Sequence, residues 1–225
     1  MSGNVGFPLV ARVIEPRRPS AGGPPLLVLL HGIGADENDL APLAMHLAGR
    51  LRVVSLRAPR PWSPGHAWFH LDFRADGTII PDVAQARATL ADLTRWLEQA
   101  PDRHHTDERR TYLLGFSQGA MMALGVLRTV PQRLAGVIAL SGRGPEGLFP
   151  EAAPRAAIAK VPLLVAHGTA DPILAVQNGR QIRDAFATIS EDLTYQEFPI
   201  GHAISEAELA LVASWLTQHL DQARP

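Results

Sequence analysis

Residues 111–119 read Thr-Tyr-Leu-Leu-Gly-Phe-Ser-Gln-Gly, and a helix-like segment, Ala120–Leu127, follows at once. The pattern G-x-S-x-G between a strand and a helix is typical of a nucleophile elbow, a turn so tight that its serine takes a strained backbone conformation. Glycines on both sides of the serine let the chain pass without a Cβ clash. The stretch therefore predicts that Ser117 stands at the carboxyl end of its strand as a nucleophile.

Apolar runs alternate with helical patterns along the chain, which predicts an α/β fold with helices around a mostly parallel sheet. Several runs are continuously apolar, as expected for strands that helices cover on both faces. The first run is flanked by prolines and is expected to be an antiparallel edge strand. The predicted strands are Leu9–Ile14, Leu26–Leu30, Val53–Leu56, Thr111–Leu114, Leu134–Leu140, Pro162–Ala166 and Leu193–Phe198.

Helices are predicted between these strands from apolar residues at helical spacing. The last one opens with Ser205-Glu206-Ala207-Glu208, the spacing of a capping box, so Ser205 is interpreted as a helix cap. The predicted helices follow Asn38, run over Asp82–Gln99, follow Ser117, and run over Ala175–Ile189 and Ser205–Leu220.

Composition narrows the class of protein. The 225 residues fit a single domain, 1–225, and the formal net charge of -1 gives no electrostatic reason to expect nucleic acid as a partner. Cysteine is absent, which excludes disulfides, a thiolate nucleophile and cysteine metal ligands. We expect no signal peptide, because the start lacks a basic segment followed by a long apolar stretch. We expect no membrane span, because no apolar stretch approaches about 18 residues. A cytoplasmic protein is the resulting expectation.

A serine nucleophile needs a base and an orienting acid. Asp171 lies in the sequence His167-Gly-Thr-Ala-Asp-Pro172, directly after the predicted strand Pro162–Ala166. His202 lies between the last predicted strand and the last predicted helix. The order Ser117, Asp171, His202 is the order of an elbow-type hydrolase. These three residues are the predicted catalytic triad.

A second glycine-containing loop follows the strand Leu26–Leu30 and reads His31-Gly-Ile-Gly-Ala-Asp36. In elbow-type hydrolases one oxyanion donor comes from such an early loop and another from the residue after the nucleophile. The backbone N–H groups of Ile33 and Gln118 are therefore assigned to the oxyanion hole. His31 is an alternative base, but we expect it to brace the loop by side-chain hydrogen bonds.

Two loops should overhang the same sheet edge, namely 58–81 and 142–154. Trp68 and Phe69 are predicted to line an acyl pocket, although packing of their own loop is the alternative. Arg143 either binds an acidic leaving group or is a solvated loop charge. His66 and His70 have the i, i+4 spacing of two metal ligands on a helix, but prolines and a glycine around them indicate a loop, so no metal is expected.

Four motifs together resemble the phospholipase/carboxylesterase family of α/β-hydrolases: His31–Asp36, Gly115–Gly119, His167–Pro172 and Gly201-His202. The resemblance implies a seven-stranded, mostly parallel sheet without a large lid, and hydrolysis of carboxylic esters or thioesters without metal or cofactor. It also implies the same triad and oxyanion hole. Two departures concern specificity: the Trp-Phe pair is followed by His70 before Asp72, and an arginine follows Ser141-Gly142.

The sequence thus predicts a serine carboxylesterase acting on a small-molecule ester, with short to medium acyl chains, as a monomer or homodimer. One alternative is a thioesterase or lysophospholipase-type hydrolase acting on acyl-proteins or small thioesters. Another is a catalytically silent binding module, which predicts a replaced triad or oxyanion position. None of these positions is replaced.

Overall fold

A seven-stranded sheet forms the centre of the computed structural model, which describes residues 9–18, 23–47, 49–75, 79–144, 147–149 and 153–222. The strands are β1 (Ala11–Ile14), β2 (Leu26–Leu30), β3 (Arg52–Leu56), β4 (Arg60–Trp62), β5 (Gly65–Ala67), β6 (Leu71–Phe73), β7 (Ile79–Pro81), β8 (Thr111–Phe116), β9 (Gly136–Leu140), β10 (Leu163–Gly168) and β11 (Leu193–Phe198). The α-helices are α1 (Val83–His104), α2 (Gln118–Thr129), α3 (Arg155–Ala159), α4 (Gln177–Ala187) and α5 (Glu206–Asp221), and short 3-10 helices span Ala41–Met45 and Pro131–Arg133.

The sheet has the order β1-β3-β2-β8-β9-β10-β11. Only β1 pairs antiparallel with its neighbour, which confirms the predicted edge strand; the other pairs are parallel. Parallel pairing brings the carboxyl ends of the strands to one edge: Leu30 of β2 lies opposite Gly115 of β8, and Phe116 opposite Leu140 of β9. The loops that follow these strands carry the predicted site residues.

Helices cover both faces of the sheet, which explains the continuous apolar runs. All five residues of β2 are buried. Leu26, Val28 and Leu30 pack with α1–α4 on one face, whereas Leu27 and Leu29 pack with α5 and the 3-10 helix Ala41–Met45 on the other. Each fully buried leucine contributes about 1.5–3 kcal/mol of transfer free energy, so such a strand is strongly fixed in the centre of the sheet.

Two helix predictions need correction. The segment after Asn38 forms only the 3-10 helix Ala41–Met45, because Pro42 stands at its start and Gly49 follows soon after its end. The long helix α1 continues to His104 rather than ending near Gln99. Pro101 lies in its last turns, and the helix ends at His105 in the left-handed conformation, with φ 49°.

The segment 58–81, predicted only as a loop, contains two small hairpins, β4–β5 and β6–β7. The first hairpin pairs with the loop after β2, since Gly34 N–H donates to His66 O at 2.8 Å and His66 N–H donates to Ala35 O at 2.9 Å. No segment within the described ranges builds a separate lid domain over the sheet. Among the helices that the structure describes, none has the length and apolar character needed to cross a membrane.

Candidate active site

Ser117 joins β8 to α2 in a strained turn. Its φ of 54° and ψ of −115° lie outside the regions that residues with a side chain normally occupy. Its N–H donates to Leu140 O at 2.9 Å, which ties the turn to β9. A Cβ at Gly119 would collide with the Leu30 carbonyl, and one at Gly115 would collide with the Gly119 carbonyl. Both glycines are therefore required for the helix to start this close to the sheet.

His202 contacts Ser117 and Asp171 at once. Its Nε2 lies 2.9 Å from Ser117 Oγ, and its Nδ1 lies 2.6 Å from Asp171 Oδ2. Because a carboxylate can only accept, we assign the ring proton to Nδ1, which leaves the Nε2 lone pair to accept from the Ser117 hydroxyl. The ring also packs on Phe116, with centroids 4.9 Å apart. The His202 side chain is thus within hydrogen-bond distance of both other side chains of the predicted triad, in the order serine, histidine, aspartate.

Asp171 is buried on the tight loop after β10 and its carboxylate is fully engaged. Oδ1 accepts from the backbone N–H groups of Ile173 at 2.8 Å and Leu174 at 2.9 Å, while Oδ2 faces His202. Burial acts to raise the pKa of Asp171, but the hydrogen bonds from His202, Leu174 and Ile173 outweigh it, so the pKa lies below its usual value. The group is therefore held as a carboxylate that can orient an imidazole.

His167 holds the loop after β10 in place, a role that the sequence did not reveal. It has no exposed surface, and its Nε2–H donates to Leu174 O at 2.7 Å while lying 3.6 Å from Asp171 Oδ2. A Cβ at Gly179 of α4 would come within 2.8 Å of the His167 ring, so the helix packs directly on it. Its position four residues before Asp171 in the same motif was the available signal.

The loop after β2 lies against the elbow. A Cβ at Gly32 would be 3.4 Å from Ser117 Cβ, so this loop passes beside the Ser117 side chain. No described residue accepts a hydrogen bond from the backbone N–H of Ile33 or of Gln118. Free N–H groups beside a nucleophile are what an oxyanion hole needs. The assignment of these two groups to that role stays a prediction.

His31 braces the loop, as the sequence led us to expect. Its Nδ1–H donates to Gly32 O at 2.7 Å, and its Nε2 accepts from Ala58 N–H at 3.0 Å. Burial lowers its pKa, which favours the neutral ring that this bonding pattern requires. Both nitrogens are occupied by the backbone, so the ring is not free to serve as the base for Ser117.

Trp68 and Phe69 lie beneath the site rather than on an open wall of it. Both side chains have no exposed surface, so neither lines an accessible acyl pocket in this conformation. The Gln118 side chain joins this segment to the elbow: its Oε1 accepts from Trp68 N–H at 2.8 Å, and its Nε2 donates to Phe69 O at 2.7 Å. We call these two bonds the amide clamp. The sequence singled out Gln118 for its backbone only and gave no signal for the clamp.

The remaining predicted site residues lie around the edge. His66 lies in strand β5, so His66 and His70 do not share a helix face, in agreement with the expectation that this segment is not helical. The described part of the chain contains no group of three or more His, Cys, Asp or Glu side chains that could hold a metal ion. Arg143 is half-buried in the loop after β9, and its two alternative roles stay predictions.

Comparison with known proteins agrees with this architecture. Residues 10–220 match the family described as Phospholipase/Carboxylesterase. The chain is 27% identical over 146 residues to acyl-protein thioesterase 1 of Debaryomyces hansenii, a match that covers 64% of this chain and 62% of that protein, less than two thirds of its length. It is 26% identical over 226 residues to a probable carboxylesterase of Oryza sativa subsp. japonica, covering 90% and 92% of the two chains.

A solved structure shows the same fold. The carboxylesterase of Bacillus cereus superimposes with a TM-score of 0.81 over 95% of each chain, at 22% sequence identity. At that identity the likeness concerns the arrangement of strands and helices and not the substrate.

Proposed function

The chain belongs to the phospholipase/carboxylesterase family, and on that premise we propose that it is a serine carboxylesterase that hydrolyses carboxylic esters through an acyl-enzyme on Ser117. The observation that carries the proposal is the position of His202, which lies 2.9 Å from Ser117 Oγ and 2.6 Å from Asp171 Oδ2. This arrangement, with an imidazole hydrogen-bonded between a hydroxyl and a carboxylate, forms a proton-transfer unit that few structural roles require.

In the first half-reaction, Ser117 Oγ attacks the ester carbonyl carbon and His202 Nε2 takes the hydroxyl proton. The carbonyl oxygen becomes an oxyanion, which the N–H groups of Ile33 and Gln118 stabilise. The imidazolium is stabilised by the Asp171 carboxylate, whose lowered pKa keeps it ionised. The C–O bond then breaks, His202 gives its proton to the departing alcohol oxygen, and the acyl group stays on Ser117.

In the second half-reaction, water takes the place of the alcohol. His202 Nε2 removes a proton from the water as its oxygen attacks the acyl carbon, and the same two N–H groups hold the second oxyanion. Collapse of this intermediate returns the proton to Ser117 Oγ and releases the carboxylic acid. The residues present are sufficient for every proton transfer in the cycle.

The test is hydrolysis of 4-nitrophenyl esters of increasing acyl length by the purified protein. We expect turnover with a maximum at short to medium chains, and a loss of about 10³-fold or more in kcat for Ser117→Ala, the scale found when a triad member is removed. Equal turnover by the wild type and Ser117→Ala would refute the assignment. The proposal takes residues 1–225 as one domain that acts on a small-molecule ester as a monomer or homodimer.

A thioesterase activity is the second candidate, because one relative in the comparison is named acyl-protein thioesterase 1. The same triad serves both reactions, since the thiolate leaving group needs less protonation than an alkoxide. Kinetics with a butyryl ester and a butyryl thioester of matched size separate the two. A higher kcat/KM for the ester supports a carboxylesterase, and a higher value for the thioester supports the alternative.

A further inference from the structure

Arg143 lies one residue beyond a tight contact with the nucleophile elbow. Ser141, directly after β9, has a φ of 47°, and this left-handed turn directs the chain over the elbow. The next residue, Gly142, is buried: a Cβ there would lie 2.7 Å from Ala120 Cβ and 3.6 Å from Ser117 O. Since neighbouring Cα atoms are about 3.8 Å apart, the long side chain of Arg143 starts within reach of a substrate held on Ser117.

The charge of Arg143 is not balanced within the described part of the chain. The residue is half-buried, and no described residue forms a hydrogen bond or ion pair with its side chain. The carboxylates that flank the site are already engaged: Asp171 binds His202 and two backbone N–H groups, and Glu37 binds Arg57 through two bonds of 2.5 Å. A positive charge beside the site that no described side chain neutralises favours an anionic ligand.

A single guanidinium is best matched by a single carboxylate. The planar fork of an arginine binds a carboxylate through two parallel hydrogen bonds, and one positive charge balances one negative charge. A phosphate monoester carries between one and two charges at neutral pH and calls for a second cation. The geometry therefore favours a carboxylate-bearing substrate.

The sheet order indicates which half of the substrate carries this group. The loop with Ile33 follows β2, on one side of Ser117, whereas Arg143 and His202 follow β9 and β11, on the other side. His202 must face the alcohol oxygen in order to protonate it. We propose that Arg143 binds a carboxylate on the alcohol half of the ester, so that the substrates are esters of hydroxy acids, a role that rests on the esterase function proposed above.

The test compares two esters of equal size, 3-carboxyphenyl butyrate and 3-carbamoylphenyl butyrate, through the ratio of their kcat/KM values. We expect a ratio of about 10 or more in the wild type, because a charge-assisted hydrogen-bonded pair forms only with the carboxylate, and a ratio near 1 in Arg143→Gln. Arg143→Lys should retain part of the preference. Arg133→Gln, at an exposed residue of the 3-10 helix before β9, should retain all of it. Added salt should lower the wild-type ratio.

Binding to Ser117→Ala protein separates this role from catalysis. Calorimetry with the same two esters should show about tenfold tighter binding of the carboxylate, lost when Arg143→Gln is added. If this binding difference is present but the wild type hydrolyses neither ester, the esterase function fails and the anion site stands. The proposal would be overturned by a wild-type ratio near 1 or by a ratio that survives Arg143→Gln. It would also be overturned if the Arg143-dependent preference appeared only for a carboxylate on the acyl half, measured as phenyl hemiglutarate against phenyl valerate.

Discussion

The indole nitrogen of Trp68 donates a hydrogen bond of 2.8 Å to the backbone oxygen of His31. This bond fixes the strand end from which the Gly32-Ile33 loop departs. Together with the amide clamp of Gln118, it links the segment 67–70 to both proposed oxyanion donors. A buried aromatic residue therefore supports the loop that carries the proposed oxyanion donor Ile33.

Trp68→Phe tests this support, because it removes the N–H donor and keeps an aromatic ring. We expect kcat to fall about five- to tenfold with little change in KM, since the loop is needed in the transition state more than in substrate binding. The free energy of unfolding should fall by about 1–3 kcal/mol. Trp96→Phe, a buried change on α1 away from the site, should lower stability without changing kcat. Equal effects of the two variants on kcat would contradict the role.

Asp171→Asn tests the orienting carboxylate. The neutral amide can donate to His202 Nδ1 and so favours the wrong tautomer, with the proton on Nε2. We expect kcat to fall by about 10³–10⁴-fold, the scale known for this change in triads, while the protein stays folded. Steady-state kinetics and circular dichroism give the two quantities. Asp184→Asn, at an exposed pair with Arg183, is the control and should retain full activity.

Because the backbone at Ser117 is strained, glycine should be more stable than alanine at this position, the reverse of the usual order in a helix. At φ 54° and ψ −115° any residue with a Cβ is strained, so Ser117→Gly should be more stable than Ser117→Ala by about 1 kcal/mol. At Ser214, exposed in the middle of α5, the order should reverse, with glycine about 1 kcal/mol less stable than alanine. Chemical denaturation of the four variants measures both differences. The same sign at both positions would mean that the elbow is not strained.

Glu208 predicts a pH dependence of stability. It has no exposed surface, and neither carboxylate oxygen has a described hydrogen-bond partner. Burial raises its pKa from the usual 4.5 to about 7, and the Ser205 N–H, which lies nearby but outside hydrogen-bond geometry, offsets this only in part. Between these two values the folded state binds a proton that the unfolded state has lost, so this group makes stability fall as pH rises from about 4.5 to 7.

Glu208→Gln should remove that slope and raise the free energy of unfolding above pH 7, by on the order of 3 kcal/mol at most. Denaturation curves at pH 5 and pH 8 give the comparison. Glu206→Gln, at an exposed glutamate two residues earlier, provides the matched control and should leave the pH dependence as it is. If Glu208→Gln shows the wild-type slope, the buried carboxyl is not its source.

The sequence predicted the sheet and the elbow because their signals are local. Strand β2 is five apolar residues, and Gly115 and Gly119 are needed for a steric reason that acts within the turn itself. Asp171 and His202 could be found because each follows a strand, and parallel strands bring their carboxyl ends together. The Ser205 cap was also readable, and its Oγ does accept from Glu208 N–H at 3.1 Å.

What the sequence did not reveal depends on contacts between distant segments. The burial of Trp68 and Phe69 follows from their bonds to Gln118, about 50 residues along the chain, and an aromatic pair in a loop looks the same whether it faces a substrate or the core. The contact of His167 with Leu174 O requires the folded loop. The short helix after Asn38 reflects Pro42 and Gly49, which limit the helix to a few residues.

The most direct test of the central claim is covalent labelling of the folded protein with a fluorophosphonate, followed by intact mass and peptide mapping. We predict one adduct per chain, located on Ser117, absent in Ser117→Ala and strongly slowed in His202→Ala, because the hydroxyl needs the imidazole 2.9 Å away to react. No adduct on the folded wild-type protein, or an adduct on another residue with Ser117 unmodified, would contradict the proposed mechanism.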